Sequence, residues 1–548
     1  MTQLDHTLGD SDVGEPPAHA RGRHPTILTI QTGLLIAVLS LLGAIVGIQL
    51  LVTLGVTPNT SIIGALVAML IARIPLRFLA TFRSVHVQNL AQSAISSATF
   101  GAANSVLLPV AIPYVMGRPD LILPMFAGVG LALILDGYLL YRMFGTSVFP
   151  ASGAWPPGVA AAEAIKAGDV GGKQAGILGI GVALGVAGAW WGIPMSALGV
   201  AFIGNIWAMA MFGLGLLARG YSNAVVGWDI AAAYVPHGMM VGAGLFALIQ
   251  VVMALRSKSA TSDGISESEI AGRALVDARA DIGGTLAFGG IAYVAIAVLL
   301  AVVGGLYAEM SIPMLLGFVV FAAFAAYVHE LIVGIAAMHS GWFPAFAVAL
   351  ITLLIGMFFG FPLVALILLC GFSAATGPAF ADMGYDLKAG FILRGNGSDP
   401  AFEMEGRRQQ WFASLFAFLI AIPVVWFAHG AFFAQDLVPP VVRVYAATIN
   451  AGVTPEIATA MFLWAIPGAL IQWAGGPKRQ MGVLFATGLL ISFPIAAWTV
   501  LFGIAVRILI ERFGKQEHQP MKEVVAAGMI AGDALYGFFN SMFKFATK

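Results

Sequence analysis

Residues 362–390 read PLVALILLCGFSAATGPAFADMGYDLKAG: an apolar run from Pro362 to Phe372, a break at Thr376-Gly377-Pro378, and then Asp382, Asp386 and Lys388 beside it. A segment so apolar belongs in hydrocarbon. A charge at the bilayer centre costs about 2.5–3.5 kcal/mol by insertion scales, so it persists only when it pairs or faces a hydrated cavity. The same juxtaposition recurs along the chain, because Asp136, Glu163, Lys166, Asp229, His329 and Glu330 also lie within or beside long apolar runs. Ionisable groups in this setting point to a conduit for polar cargo, and transport is the first hypothesis.

Composition agrees. The chain has 548 residues, 59% of them hydrophobic and 10% charged, against roughly 25% charged in a soluble domain, and its mean hydropathy is +0.91. An apolar helix of about 20 residues crosses a hydrocarbon core of about 30 Å. The apolar stretches therefore predict an all-α polytopic membrane protein with about 14–16 transmembrane helices and half-helices. They are too long and too little alternating to be the roughly 10-residue strands of a membrane barrel. With 27 basic and 27 acidic residues the net charge is zero, which gives no electrostatic case for nucleic acid as a partner. The one cysteine, Cys370, has no mate within the chain and reads as a packing residue. Residues 1–26 are polar, acidic and proline-bearing, unlike a cleavable leader, and are expected to form a disordered cytoplasmic tail.

Arg73, Arg77 and Arg83, the stretch Arg256 to Asp281 and the stretch Arg507 to Lys522 are the basic connections, and the positive-inside rule assigns them to the cytoplasm together with both termini. A multi-pass protein of a bacterial inner membrane is expected. Residues 256–281 read as a cytoplasmic linker between a first membrane half, 27–255, and a second, 282–548. The halves look related. At one offset (329 − 86 = 243) His86, Ser97, Phe100 and Gly117 match His329, Ser340, Phe343 and Gly360, and at another (388 − 166 = 222) Lys166 matches Lys388. Transporters built from repeats often place their substrate near the midplane, on interrupted helices at the repeat junction. Candidate breaks are Pro156-Pro157-Gly158 and Gly377-Pro378.

Two segments carry the chemistry. Trp155-Pro-Pro-Gly158 opens a stretch that bears Glu163 and Lys166, which share one helix face at i and i+3. Asp382-Met-Gly-Tyr-Asp386-Leu-Lys388-Ala-Gly390 leads through a polar connection to Arg407-Arg408-Gln409-Gln410. In these segments the chain resembles the oligopeptide transporter (OPT) family, and in particular its yellow stripe-like and bacterial branch. Members share a proline-glycine break before an Ala-rich, Glu-bearing stretch, and an Asp-Leu-Lys-x-Gly motif before an Arg-Gln run. Ile530-Ala-Gly-Asp533-Ala-Leu535 is similar to the family's closing segment, with Asp533 in place of Glu. The resemblance implies secondary, proton-coupled symport of small oligopeptides or metal-chelate complexes. Two departures blur the cargo: Ala337 to Trp342 lacks the family's Asn-Pro pair, and Asn396 to Gly406 lengthens the link to the Arg-Gln run.

Rival chemistries lack their parts. His329-Glu330 is followed by Val333 where a zinc protease needs its second histidine. Gly171-Gly172-Lys173-Gln174 lacks the hydroxyl of a phosphate loop, and Gly371-Phe-Ser373-Ala-Ala375 lacks the second glycine of a nucleophile elbow. No cofactor, resident metal or enzymatic activity is expected. The alternatives are a membrane-embedded hydrolase using Asp382 and Asp386, or a passive channel. Glu163 and Asp386 are the candidates for proton coupling, each beside a cation and a helix break. Lys166, Lys388, Asp136, Asp229, His329, Glu330, His339 and Asp382 are candidates for lining a cavity. Each has a plainer reading as well: the histidines as interhelix hydrogen-bonding groups, Asp229 beside Trp228 as an interfacial residue, and the two lysines as boundary markers. Partners are thus a small-molecule or peptide substrate, protons and the lipid bilayer.

Overall fold

The structure is a computed structural model that describes residues 23–54, 64–65, 69, 71, 74–256, 282–341, 343–452, 454–491, 493–513 and 519–546. Most of the amino-terminal tail, nearly all of the 256–281 linker, Arg73 and Trp342 lie outside the described residues. Those described are helical with no strand among them, as the apolar pattern requires. In chain order the helices are α1 (Ile30–Leu54), α2 (Val85–Phe100), α3 (Leu108–Val115), α4 (Ile122–Met143), α5 (Pro156–Val170), α6 (Gly172–Trp190), α7 (Met195–Ile203), α8 (Ile206–Val226), α9 (Val235–Arg256) and α10 (Ile282–Val303). They continue as α11 (Ile312–Ser340), α12 (Ala345–Phe358), α13 (Leu363–Ala375), α14 (Pro378–Leu393), α15 (Pro400–Ala434), α16 (Pro440–Ala451), α17 (Pro455–Arg479), α18 (Met481–Leu490), α19 (Pro494–Phe513) and α20 (Gln519–Ala546).

Among the described residues nine stretches are long and apolar enough to cross a membrane, and four shorter apolar helices accompany them. One crossing, Val85–Val115, passes from α2 to α3 through a π-helical segment, Gly101–Leu107. Another, Leu363–Leu393, is two half-helices, because Gly377 at φ 98° and Pro378 at the first helical position end α13 and start α14. Helix α5 is also short. Its 15 residues reach only about 22 Å at 1.5 Å per residue, less than a bilayer core of about 30 Å. It too starts at a proline, Pro156, after a residue at positive φ, Trp155 at 40°. Both breaks thus put a positive-φ residue before a proline, Trp155 before Pro156 and Gly377 before Pro378, and the paired Gly117 (φ 68°) and Gly360 (φ 74°) each stand just past the end of a helix.

The helices form two bundles, and both sequence halves enter each. One bundle joins α1 to α5 with α10 to α16, the other α6 to α9 with α17 to α20. Small residues select the partners in the second bundle. Gly181 and Gly185 of α6 lie against Gly528 and Gly532 of α20 so closely that a side chain on any of them would meet the opposing backbone. Membrane helices associate through such close backbone approach, because lipid supplies no hydrophobic force between them. Trp190, Trp191, Phe427, Phe462 and Trp473 stand exposed on the outside, as large apolar residues do where lipid and its interface take the place of water. The interior of the first bundle is unlike that exterior: helix α2 buries Gln88, Asn89, Gln92, Ser93, Ser96 and Ser97. Where the bundles meet, α5 packs on α20, and α11 packs on α8, α9 and α18.

Candidate functional site

Helices α5 and α14 lie side by side because Gly158 has no side chain to hold them apart: its α-carbon faces the Tyr385 carbonyl and the Lys388 side chain. The Trp155 amide at the break donates to the Met338 carbonyl at 2.8 Å, tying the start of α5 to the end of α11. From this crossing both half-helices run to one open cleft of about 340 Å³. Ser152, Glu163, Lys166, Lys388 and Asn396 line it from the first bundle, and Ile203 and Glu523 from the second. Lys166 pairs with Glu163 at 3.1 Å, as their i, i+3 spacing allows. Lys388 donates to the Ala151 carbonyl at 2.9 Å, with its ammonium 5.6 Å from the centre of the Phe391 ring. Two cations and two anions therefore border one water-accessible space at the junction of the bundles.

Asp386, two residues before Lys388, does not line that cleft. It is fully buried and faces α2, where Gln92 and Ser97 donate to its carboxylate. Gln410 of α15 donates to the Asp386 carbonyl at 2.6 Å and to Ser93 at 3.0 Å, and it accepts from Arg394 at 2.8 Å. Arg394 and Arg407 both bond Glu403, at 2.8 Å and 2.7 Å, in an ion triad whose members are each at most 4% exposed. One turn before Asp386, Asp382 accepts from Ser96 at 2.5 Å. Three helices are thus pinned by polar groups behind the floor of the cleft.

A second buried cluster lies beside the break in the α13–α14 span. Asp136 of α4 accepts from the Tyr293 hydroxyl at 2.6 Å and from the Gly377 amide at 2.7 Å. Glu330 of α11 is fully buried and faces the same hydroxyl. Its neighbour His329 turns the other way, its Nδ1 donating to the Ser373 carbonyl of α13. His339 closes α11 with its ring on the Ile335 carbonyl at 3.0 Å, and its own carbonyl accepts from the Asn205 amide of the other bundle at 3.2 Å. Asp229 stands apart from all of this, half exposed in a surface turn where it pairs with Arg219 at 3.3 Å and accepts from the Ala231 amide at 2.9 Å.

Of the residues the sequence singles out, the structure brings Glu163, Lys166 and Lys388 to one cleft. The structure adds Gln92, Ser96, Tyr293, Glu403 and Glu523, and gives partners to Ser97 and Gln410, which the sequence offers only as repeat and motif positions. The stripe on α2 is legible in the sequence, since polar residues at 88/89, 92/93 and 96/97 repeat at helical spacing in the first part of the crossing Val85–Val115. Glu523 had no local signal. Asp533, in the closing motif, accepts from the Ser196 amide at 2.7 Å and so fixes the start of α7 against α20. Among the described residues no group of three or more His, Cys, Asp or Glu side chains could hold a metal ion.

The family model described as OPT oligopeptide transporter protein matches residues 27–245 and 190–544, which together run through nearly the whole chain. No curated protein matches it.

Proposed function

The chain belongs to the OPT oligopeptide transporter family, and from that premise we propose that it moves small peptides across the membrane by proton-coupled symport, with the two bundles rocking to alternate access. The observation that carries this reading is the cleft. Two half-helices, each begun by a proline after a positive-φ break, bring Lys166 and Lys388 to one cavity that the second bundle closes with Glu523. A small peptide carries an ammonium at one end and a carboxylate at the other. Lys388 would take the carboxylate, and Glu163 and Glu523 would take the ammonium, each by a charge-assisted hydrogen bond. Asp386 holds the floor in place through α2 and α15.

Because the cleft lies between bundles, a relative rotation would open it to one side and close it to the other. Glu163 and Asp386, the acids that the sequence singles out for coupling, each already have donors, in Lys166 and in Gln92 and Ser97. A proton driven by about 150 mV supplies roughly 3.5 kcal/mol, enough for roughly a few hundredfold accumulation of a neutral cargo at 1.4 kcal/mol per tenfold. The cleft end also bears Arg394, Arg407, Arg408, Arg507 and Lys522. By the positive-inside rule that end and both termini face the cytoplasm, as they would in a bacterial plasma membrane.

The cargo is tested by comparing all peptides, metal chelates and other solutes taken up by cells with and without the protein. Enrichment of short peptides is expected. Enrichment of metal chelates alone would replace the cargo while leaving transport in place, and no difference in any solute would count against transport itself.

A further inference from the structure

Asp136 and Glu330 approach one hydroxyl from two helices, and that hydroxyl has one proton to give. Tyr293 gives it to Asp136 at 2.6 Å, and the second Asp136 oxygen accepts from the Gly377 amide. Glu330 also faces the Tyr293 oxygen, and with the tyrosine proton given to Asp136 neither of its carboxyl oxygens has a donor of its own. All three side chains are fully buried. The other titratable groups nearby are Tyr327, which donates to the Leu286 carbonyl, and His329, which is turned to α13.

Two ionised carboxylates on one hydroxyl, in a site that no cation balances, would repel strongly at low dielectric. A buried carboxylate without donors would add a desolvation cost of several kcal/mol. A proton on Glu330 removes both costs, because the carboxyl can then donate to the free lone pair of the Tyr293 oxygen. A sodium ion would not serve as well: hard cations bound by protein take about six oxygens, and this cluster offers only the two of Glu330 and the lone pair of Tyr293 beyond those already bonded.

We propose that Glu330, Tyr293 and Asp136 form a buried proton site, in which one exchangeable proton is held between two carboxyls across the tyrosine hydroxyl. The inference rests on the proton-coupled reading above and moves the coupling proton away from Glu163 and Asp386. The transfer is balanced. Glu330 passes its proton to the Tyr293 oxygen as Tyr293 passes its own to Asp136, so the tyrosine ends neutral, Glu330 ends ionised and Asp136 ends protonated, with no electron moved. Protonated Asp136 is a weaker acceptor for the Gly377 amide. That amide opens α14, the half-helix that carries Lys388 into the cleft, so the position of the proton bears on the cargo site through one rigid element.

The test uses the full chain reconstituted in liposomes, with Glu330→Gln, Asp136→Asn and Tyr293→Phe, each nearly isosteric, and a melting temperature to verify the fold. Infrared difference spectra between acid and alkaline pH should show a protonated-carboxyl stretch in the natural protein that Glu330→Gln abolishes and Tyr293→Phe shifts. Accumulation of a labelled peptide driven by an imposed pH gradient should fall to simple equilibration in both Glu330→Gln and Asp136→Asn. If one variant fails to fold, the other two carry the test. The proposal is overturned if the band persists in Glu330→Gln, if gradient-driven accumulation survives in the folded variants, or if a sodium gradient drives uptake and Glu330→Gln ends it. If the natural protein ignores the pH gradient while the band still depends on Glu330, the proton site stands and the symport reading fails instead.

Discussion

Lys388 donates to the Ala151 carbonyl at 2.9 Å, whereas Lys166, on the same cleft, is held by the Glu163 carboxylate at 3.1 Å. One cation is neutralised by its own helix and the other bonds only a backbone oxygen, which a cargo carboxylate could displace. Lys388→Gln should therefore weaken binding of peptides with a free carboxyl terminus by roughly 10- to 100-fold, the loss of about 1.5–3 kcal/mol expected for a hydrogen bond to a charged group. Peptides with an amidated terminus should be affected far less. Competition binding of the two peptide forms to the purified protein checks this, and an equal loss for both would remove Lys388 from cargo recognition.

Glu403 holds two buried guanidinium groups, Arg394 and Arg407. Glu403→Gln leaves both without their counter-charge, and breaking a buried ion pair from one side costs about 3–5 kcal/mol. A clear drop in melting temperature is expected. Glu405→Gln, on the more exposed pair with Arg408, should change it little.

Gly377 adopts φ 98° and gives its amide to Asp136 at 2.7 Å. A β-carbon there would be strained by the backbone alone, at about 1–3 kcal/mol, and would stand 3.0 Å from Val333. Gly377→Ala should lower stability and reduce transport together. Gly290→Ala on α10, where a β-carbon meets nothing, is the matched control and should leave both nearly unchanged.

His24 lies outside the spans, ring against ring with His86 and Phe402 at 5.3 Å and 5.1 Å. Burial is the main reason that its pKa falls from 6.5 to about 4. The folded state thus favours the neutral ring. Its contribution is complete above pH 6.5 and is lost progressively as pH falls from 6.5 towards 4, where the unfolded chain takes up the proton first. His24→Phe should flatten the fall in melting temperature across that window, and an unchanged profile would assign the acid sensitivity elsewhere.

What could be read from the sequence was local. Hydropathy is enough to fix an all-helical membrane protein, and the i, i+3 spacing of Glu163 and Lys166 places them together without any knowledge of the fold. The breaks at Pro156 and Gly377-Pro378 follow from backbone chemistry alone. Asp386 and Lys388 show the limit. Both follow the same break, but residues two apart on a helix point about 200° apart, so Lys388 reaches the cleft and Asp386 turns to α2. Partner choice was harder still. Nothing in the order of helices tells α6 to seek α20 or brings Glu523 to the cleft of Lys388. That selection lies in the facing glycines of helices hundreds of residues apart, and a glycine in a membrane sequence carries no mark of its partner.

Proton-coupled uptake is measured as flux of a labelled short peptide into liposomes containing the purified full chain, with the interior buffered more alkaline than the outside. The peptide should accumulate above its external concentration, and a protonophore should bring it back to equilibrium. Equilibration without accumulation would identify a passive channel, and cleavage of the peptide without net uptake would identify a hydrolase. Either result would contradict proton-coupled symport.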